Sequence, residues 1–361
     1  MVVSSPGPAE DVVRLPKTDL HVHLLGAVRS ETLADLARAA GVTLPRPAAE
    51  LYRHTNSAPS AEEEKHGPWY PLGQVCEIIA DCISHPDHLS RLVYEALEDG
   101  LRESNVVYQE LSYSPDMHRL RGMKYQDVVD GLCDGVQAAE RELGVKARLI
   151  AAIGRAGTPG TASSMVQTVV EYPREEVVGI GLDGFEQAGP PESFVDAFAL
   201  ARRYGLYRTA HAGEHVPGGA NVRSCLDELH CNRIDHGYHL LDEAALVDRC
   251  REEGIYFNAA FTTSRRAWRP WRQRSITSMV REGLNVTLNS DDPALFPTTV
   301  ASEFTIGARD AGLSTNELAG IALNGFEAAF IDDSTRNSLK QSFNTALSAA
   351  PGDNATQGTS Q

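Results

Sequence analysis

The sequence predicts an α/β chain closed into a barrel of eight parallel strands, and three observations carry that expectation. Short β-rich runs recur eight times, longer helical patterns fall between them, and chemistry-bearing polar residues gather at the downstream ends of the runs. Strands alternating with helices pair in parallel through right-handed crossovers, and eight of them close into a (β/α)8, TIM-type barrel. The 361 residues exceed a typical domain, yet single barrels of this kind reach about 250 residues and more. No repeat of fixed period and no low-complexity linker divides the chain.

Residues 1–13 are rich in Ser, Pro and Gly and are expected to form a flexible N-terminus, ahead of a single domain over residues 14–348. The first run is TDLHVHL (18–24). The helical pattern SETLADLARAAG follows, with Ser30 as its N-cap, Leu33, Leu36 and Ala37 on one apolar face, and Gly41 as its stop. An insert from about 44 to 72, containing RHTNSAPSAEEEKHG, is too long for a plain connection, and its place after the first strand predicts a lid over the barrel mouth. The remaining runs are VVYQELSY (106–113), ARLIAAIG (147–154), VVGIGLDG (177–184), YRTAHAGE (207–214), RIDHGYHL (233–240), IYFNAAF (255–261) and NVTLNSDD (285–292). Between them, ESFVDAFALARRYG and DEAALVDRCREEG read as helices, each ending in glycine just before the next run. Helical patterns from 300 to 348 form a C-terminal extension, and residues 349–361 a flexible tail with almost nothing to bury.

A formal net charge of −16 and a pI near 5.2 exclude a nucleic-acid backbone or an anionic membrane as the expected partner, because both repel such a surface. A small neutral or cationic ligand fits better. The opening residues carry neither a basic segment nor an apolar one, and no apolar run approaches the length of a membrane span, so a cytoplasmic protein is expected. Six cysteines are scattered without a CxxC pair and read as reduced.

In such a barrel the chemistry belongs at the C-terminal strand ends. His21 and His23 end the first run, His211 and Glu214 the fifth, His236 the sixth, and Asp291 and Asp292 the eighth. Side chains two apart on a strand point the same way, so His21 and His23 converge on one point inside the barrel. A third imidazole from His211 and a carboxylate from Asp291 complete a donor set that suits zinc, with iron and manganese as alternatives.

Four motifs carry a family resemblance: LPKTDLHVHLLGA, HAGE (211–214), RIDHG (233–237) and NSDDP (289–293). In that order and spacing the chain resembles the adenosine deaminase family of metal-dependent, amidohydrolase-like barrels. The resemblance implies one catalytic metal held by His21, His23, His211 and Asp291, proton handling by Glu214 and His236, and contacts from Asp292 to substrate and water. It also implies substrate contacts from His23 and from the backbone of Gly184 to a purine. The implied reaction replaces an exocyclic amine by oxygen. Glu214 protonates the neighbouring ring nitrogen, and enclosure is expected to keep its carboxyl protonated for that purpose.

Three departures from the family pattern bear on specificity. Leu25 stands where adenosine-specific members have an acid after the HxH pair, and Phe185 in LDGFE replaces another acid. Past the seventh strand, AAFTTSRRAWRPWRQRS brings Arg265, Arg266, Arg269, Arg272, Arg274, Trp268 and Trp271 towards the barrel mouth. Leu25 and Phe185 are expected to shape the substrate site, with Arg265 and Arg266 meeting a charged extension of the substrate. The expected activity is hydrolytic deamination of the 6-amino group of an adenine-containing nucleoside, adenosine or a 5′-modified adenosine, with release of ammonia. The alternatives are an adenine deaminase, another metal-dependent hydrolase on the same barrel and, from another class, a non-catalytic binding protein.

Overall fold

The computed structural model describes residues 12–53, 71–263 and 269–349. Eight strands follow one another around a single sheet in chain order: β1 (Lys17–His23), β2 (Val106–Tyr113), β3 (Lys146–Gly154), β4 (Val177–Asp183), β5 (Tyr207–Ala212), β6 (Arg233–His236), β7 (Tyr256–Ala259) and β8 (Asn285–Leu288). Every neighbouring pair is parallel. The ring closes between β1 and the end of β8 through one bridge, Val22 to Asp291. There the His23 N–H donates to the Asp291 carbonyl at 2.8 Å and the Asp291 N–H to the His21 carbonyl at 2.8 Å. The expected barrel is the fold of this chain.

Strands enclosed on both faces carry apolar residues at successive positions rather than in alternation. Leu149, Ile150, Ala151, Ala152 and Ile153 of β3 are all buried, one set against the barrel interior and the other against the helical shell. The helix Ser30–Ala40 buries Leu33, Leu36 and Ala37 as expected, and Gly41, at φ 66°, ends it. Ser30 does not cap this helix. Arg29 occupies the N-cap position without a side-chain cap bond, because a guanidinium has no acceptor to offer the first-turn N–H groups; it donates instead to Asp99 and Glu98 on the helix Pro86–Ser104. Three helices, Val300–Arg309, Thr315–Ala328 and Asp333–Ala349, make the C-terminal extension.

The strands end earlier than the β-rich runs suggest. β5 stops at Ala212, β6 at His236 and β8 at Leu288, so Glu214, Asp291 and Asp292 sit on the connections beyond. The cause is local: Gly213, His236 and Asp291 take φ of 66°, 71° and 64°, and left-handed backbone breaks an extended ladder. Residues 54–70 of the expected lid insert lie outside the described residues, which include the helices Ala48–Arg53 and Leu72–Asp81 on either side. Arg265, Arg266 and Trp268 also lie outside them, and from Arg269 the arginine-rich stretch is a helix, Arg269–Arg281, rather than a loop. Val12, inside the stretch expected to be untethered, is buried in the core. Val13 packs against that core and Ala349, the first residue of the other expected tail, ends a helix; residues 1–11 and 350–361 lie outside the described residues. Among the described residues no helix is long and apolar enough to cross a membrane, and all six cysteines are free.

Candidate active site

Four side chains meet at the C-terminal end of the barrel. His21, His23, His211 and Asp291 each offer one donor atom, and these atoms lie within 4.8 Å of one another. Nε2 of His23 is 3.2 Å from Nε2 of His211, and Nε2 of both His21 and His23 stand 3.3 Å from one oxygen of Asp291. Nε2 of His21 is fully enclosed yet makes no hydrogen bond. A buried imidazole nitrogen left unpaired among two more imidazoles and a carboxylate fits a divalent cation such as zinc.

Two aspartates behind the cluster turn the histidines to this point. Asp235 on β6 lies 3.2 Å from Nδ1 of His21 and is itself held by Thr209 and Asn258, both at 2.8 Å. Asp183 at the end of β4 lies 3.2 Å from Nδ1 of His23 and 3.5 Å from Nδ1 of His211. Burial disfavours its charge, but His23 and then His211 outweigh that and hold its carboxyl at about 2. Burial likewise works against a charged His23, and Asp183 reverses it, raising the imidazole to about 10. A cation held by His23 would take the place of a proton there. Neither aspartate stood out in the sequence, although both sit inside motifs quoted above. Their strand-end positions were the available signal.

Glu214 and His236 flank the cluster, with Nε2 of His236 3.5 Å from Oε2 of Glu214. His236 is pushed down to about 3, by burial first, so its imidazole is neutral, and Nδ1 lies 3.2 Å from the Tyr238 hydroxyl. The enclosure of Glu214 does not keep it protonated. Burial raises its proton affinity, but His236, His215 and Arg272 together outweigh that and hold it well below the usual carboxylate range. Arg272, expected at the barrel mouth, is fully buried and donates from Nη2 to Oε1 of Glu214 at 2.8 Å. His215, which the sequence offered no reason to single out, contacts the other oxygen, with Nδ1 to Oε2 at 3.0 Å. Asp292 is pushed up to about 7, by burial first and then by the neighbouring Asp291. Gly26 leaves space for it: a Cβ there would lie 2.0 Å from Asp292 Oδ1.

The loop carrying Glu214 is pinned by one buried carboxylate. Glu186 accepts from the backbone N–H groups of Gly213, Glu214, His215 and Val216 at 2.6 to 3.1 Å, and from Asn221 at 3.0 Å. The acidic residue that closes LDGFE thus has a structural task, while Phe185 beside it is 60% exposed and packs towards the His215 ring.

His23, His211 and Asp291 of the donor cluster, with Glu214, His236 and Asp292, line a cavity of about 540 Å³, within the range that accepts small organic ligands, and His21 lies outside that lining. Leu25 and Gly184 line it too, Gly184 at φ 96° just past β4. Leu25 is joined by Leu72, Cys76, Met117 and Phe296, which give part of the wall an apolar character. His118, another residue without a signal in the sequence, is in the same wall. It is buried with Nδ1 unpartnered.

A family model described as adenosine deaminase matches residues 16–346. An adenine deaminase of Cupriavidus taiwanensis is 31% identical over 326 residues, which is 90% of this chain and 90% of the relative. An adenosine deaminase of Bos taurus is 30% identical over 351 residues, 90% of this chain and 92% of the relative. In three dimensions the chain is similar to an amidohydrolase from Burkholderia ambifaria with bound zinc, at a TM-score of 0.86 and 30% identity, covering 96% of this chain and 95% of that one.

Proposed function

The chain belongs to the adenosine deaminase family, and from that premise we propose that it hydrolyses the 6-amino group of adenosine or a 5′-modified adenosine, giving the inosine-type product and ammonia. The observation that carries the reading is a four-donor cluster that opens, through His23, His211 and Asp291, onto the same cavity as Glu214, His236 and Asp292, one large enough for a nucleoside. His21, His23, His211 and Asp291 would hold zinc, a metal that the similar amidohydrolase carries, and such an ion would supply a water acidic enough to lose its proton near neutral pH.

The protein's own groups do the rest. His236, neutral in its buried setting, accepts a hydrogen bond from the attacking water. Glu214 takes a proton and passes it to the ring nitrogen beside the amine-bearing carbon, because that nitrogen must gain a proton as oxygen adds. Asp292, poised near 7, shares a proton with a second ring nitrogen, and the backbone of Gly184 meets the purine edge. The carbon–nitrogen bond to the amine then breaks as the added oxygen gives its remaining proton to that amine, so ammonia leaves and a carbonyl stands beside the protonated ring nitrogen. Leu25 offers no acceptor to a sugar hydroxyl, and with its apolar neighbours it favours an apolar 5′ substituent over a free hydroxyl. The contact of Arg265 and Arg266 with a charged extension remains part of the proposal, which takes residues 14–348 as one catalytic domain. The enzyme acts in the cytoplasm on a small purine and on no nucleic acid, consistent with six free cysteines and the acidic net charge.

A second reading, deamination of free adenine, is favoured by the 31% identity to an adenine deaminase and by the same Leu25. Ammonia release from adenine, adenosine and 5′-substituted adenosines, with metal content measured alongside, separates the two. Best turnover on a 5′-substituted nucleoside is expected. A tenfold preference for adenine moves the assignment to the second reading, and silence on the whole panel ends both.

A further inference from the structure

We propose that Arg272 is a positioning residue for the proton step: by holding Oε1 of Glu214 it leaves Oε2 as the oxygen that takes and returns the proton. The inference rests on the role given to Glu214 above. The guanidinium of Arg272 is fully enclosed. Nη2 donates to Oε1 of Glu214 at 2.8 Å, Nη1 donates to the carbonyl of Thr263, and the guanidinium carbon lies 4.9 Å from the centre of the Tyr238 ring. One side chain thus joins the connections after β5, β6 and β7. Its partner Tyr238 lies against Nδ1 of His236, so the same arginine borders both proton-handling groups.

The consequence is chemical as well as geometric. The ionisable groups around Glu214 are Arg272 on one oxygen and His215 and His236 on the other, with Asp292 nearby. Arginine does not give up its proton in a protein, so it favours the carboxylate form of Glu214 at every working pH. A buried carboxyl without such a partner is a weak acid, poorly suited to protonate a weakly basic purine nitrogen. Beside Arg272 the O–H bond formed at Oε2 with a proton from water breaks readily as the N–H bond on the ring forms. The net transfer is one proton from water to the ring nitrogen, and Arg272 keeps all of its own.

The test compares Arg272→Gln and Arg272→Lys in the metal-loaded enzyme, with metal content checked. The Gln variant is expected to lose about 100-fold in kcat, in the range of a positioned proton transfer, with KM changed by no more than about threefold. The acid limb of its kcat/KM profile moves to higher pH, whereas the Lys variant keeps the wild-type limb. Isotope-edited infrared spectra of the metal-free protein, assigned with Glu214→Gln, give a readout independent of turnover: the Glu214 carboxyl stays ionised through the ordinary carboxylate range in wild type and in the Lys variant, and protonates within it in the Gln variant. An unchanged acid limb and kcat in the Gln variant, or a loss confined to KM, overturns the proposal. If the Gln variant fails to fold, a wild-type carboxyl that protonates in the ordinary range overturns it alone. Failure of every adenine compound to react would instead sink the deaminase reading, and the carboxyl spectra would still report on Arg272.

Discussion

His118 shows what one buried imidazole does to the pH response of the whole protein. Burial, helped by Arg121, pushes it from 6.5 down to about 4. The unfolded chain therefore binds a proton between pH 6.5 and 4 that the folded chain refuses, and stability falls as the pH drops through that window. The loss reaches up to about 3 kcal/mol at the lower end. His118→Gln removes the titration, so the difference in denaturant midpoint between pH 7 and pH 4.5 shrinks relative to wild type; equal differences in the two proteins contradict the assignment. Leu25 makes a prediction about choice rather than stability. Leu25→Asp supplies an acceptor in the cavity wall, and the ratio of kcat/KM for adenosine over a 5′-alkyl adenosine should rise by about tenfold or more; an unmoved ratio takes Leu25 out of substrate selection. At this scale the sequence was most legible where geometry is fixed by period. His21 and His23, two apart on a strand, had to point together. Arg272 was not legible as the buried partner of Glu214, because its direction depends on the helix Arg269–Arg281, and the sequence placed it only with six other arginines and tryptophans towards the barrel mouth.

Among the elements, β4 and β6 contribute more to the cluster than their lengths suggest. Each carries an aspartate at or next to its end, Asp183 and Asp235, that orients an imidazole of another strand. Partners of this kind are commonly worth about 10- to 100-fold in metal affinity. Asp235→Asn should weaken zinc retention by such a factor in a competition titration with a chelator, with far-ultraviolet circular dichroism unchanged; wild-type affinity would show that His21 needs no second partner. The eight strands and the C-terminal helices were legible because doubly buried strands concentrate apolar and β-branched residues. Their ends were not. The run RIDHGYHL reads as one strand, yet His236 turns left-handed and Gly237 follows it at φ 79°. Conformations that bring side chains to an active site break the periodicity from which elements are read.

Across the molecule, metal and fold stabilise each other. The cluster joins β1, β5 and the end of β8, so an ion bound to the native state alone raises stability by mass action, about 4 kcal/mol at a thousandfold excess over Kd. Chelation should lower the melting temperature by several degrees, and zinc, added back, should restore it. A melting temperature indifferent to chelator and zinc would show that this barrel closes without help. The closure itself is slender. Among the described residues a single bridge, Val22 to Asp291, joins the first strand to the end of the last, and the two residues that flank Val22 are His21 and His23 of the donor cluster. This has a consequence for biosynthesis. Synthesis proceeds from the N-terminus, so β1 leaves the ribosome roughly three-quarters of the 361-residue chain before Asp291 does. Until then the nascent polypeptide has neither its fourth donor nor the neighbour that seals its first strand, and any ion it meets is held by histidines on an open sheet. Tight binding is therefore expected only once Asp291 has emerged and met β1.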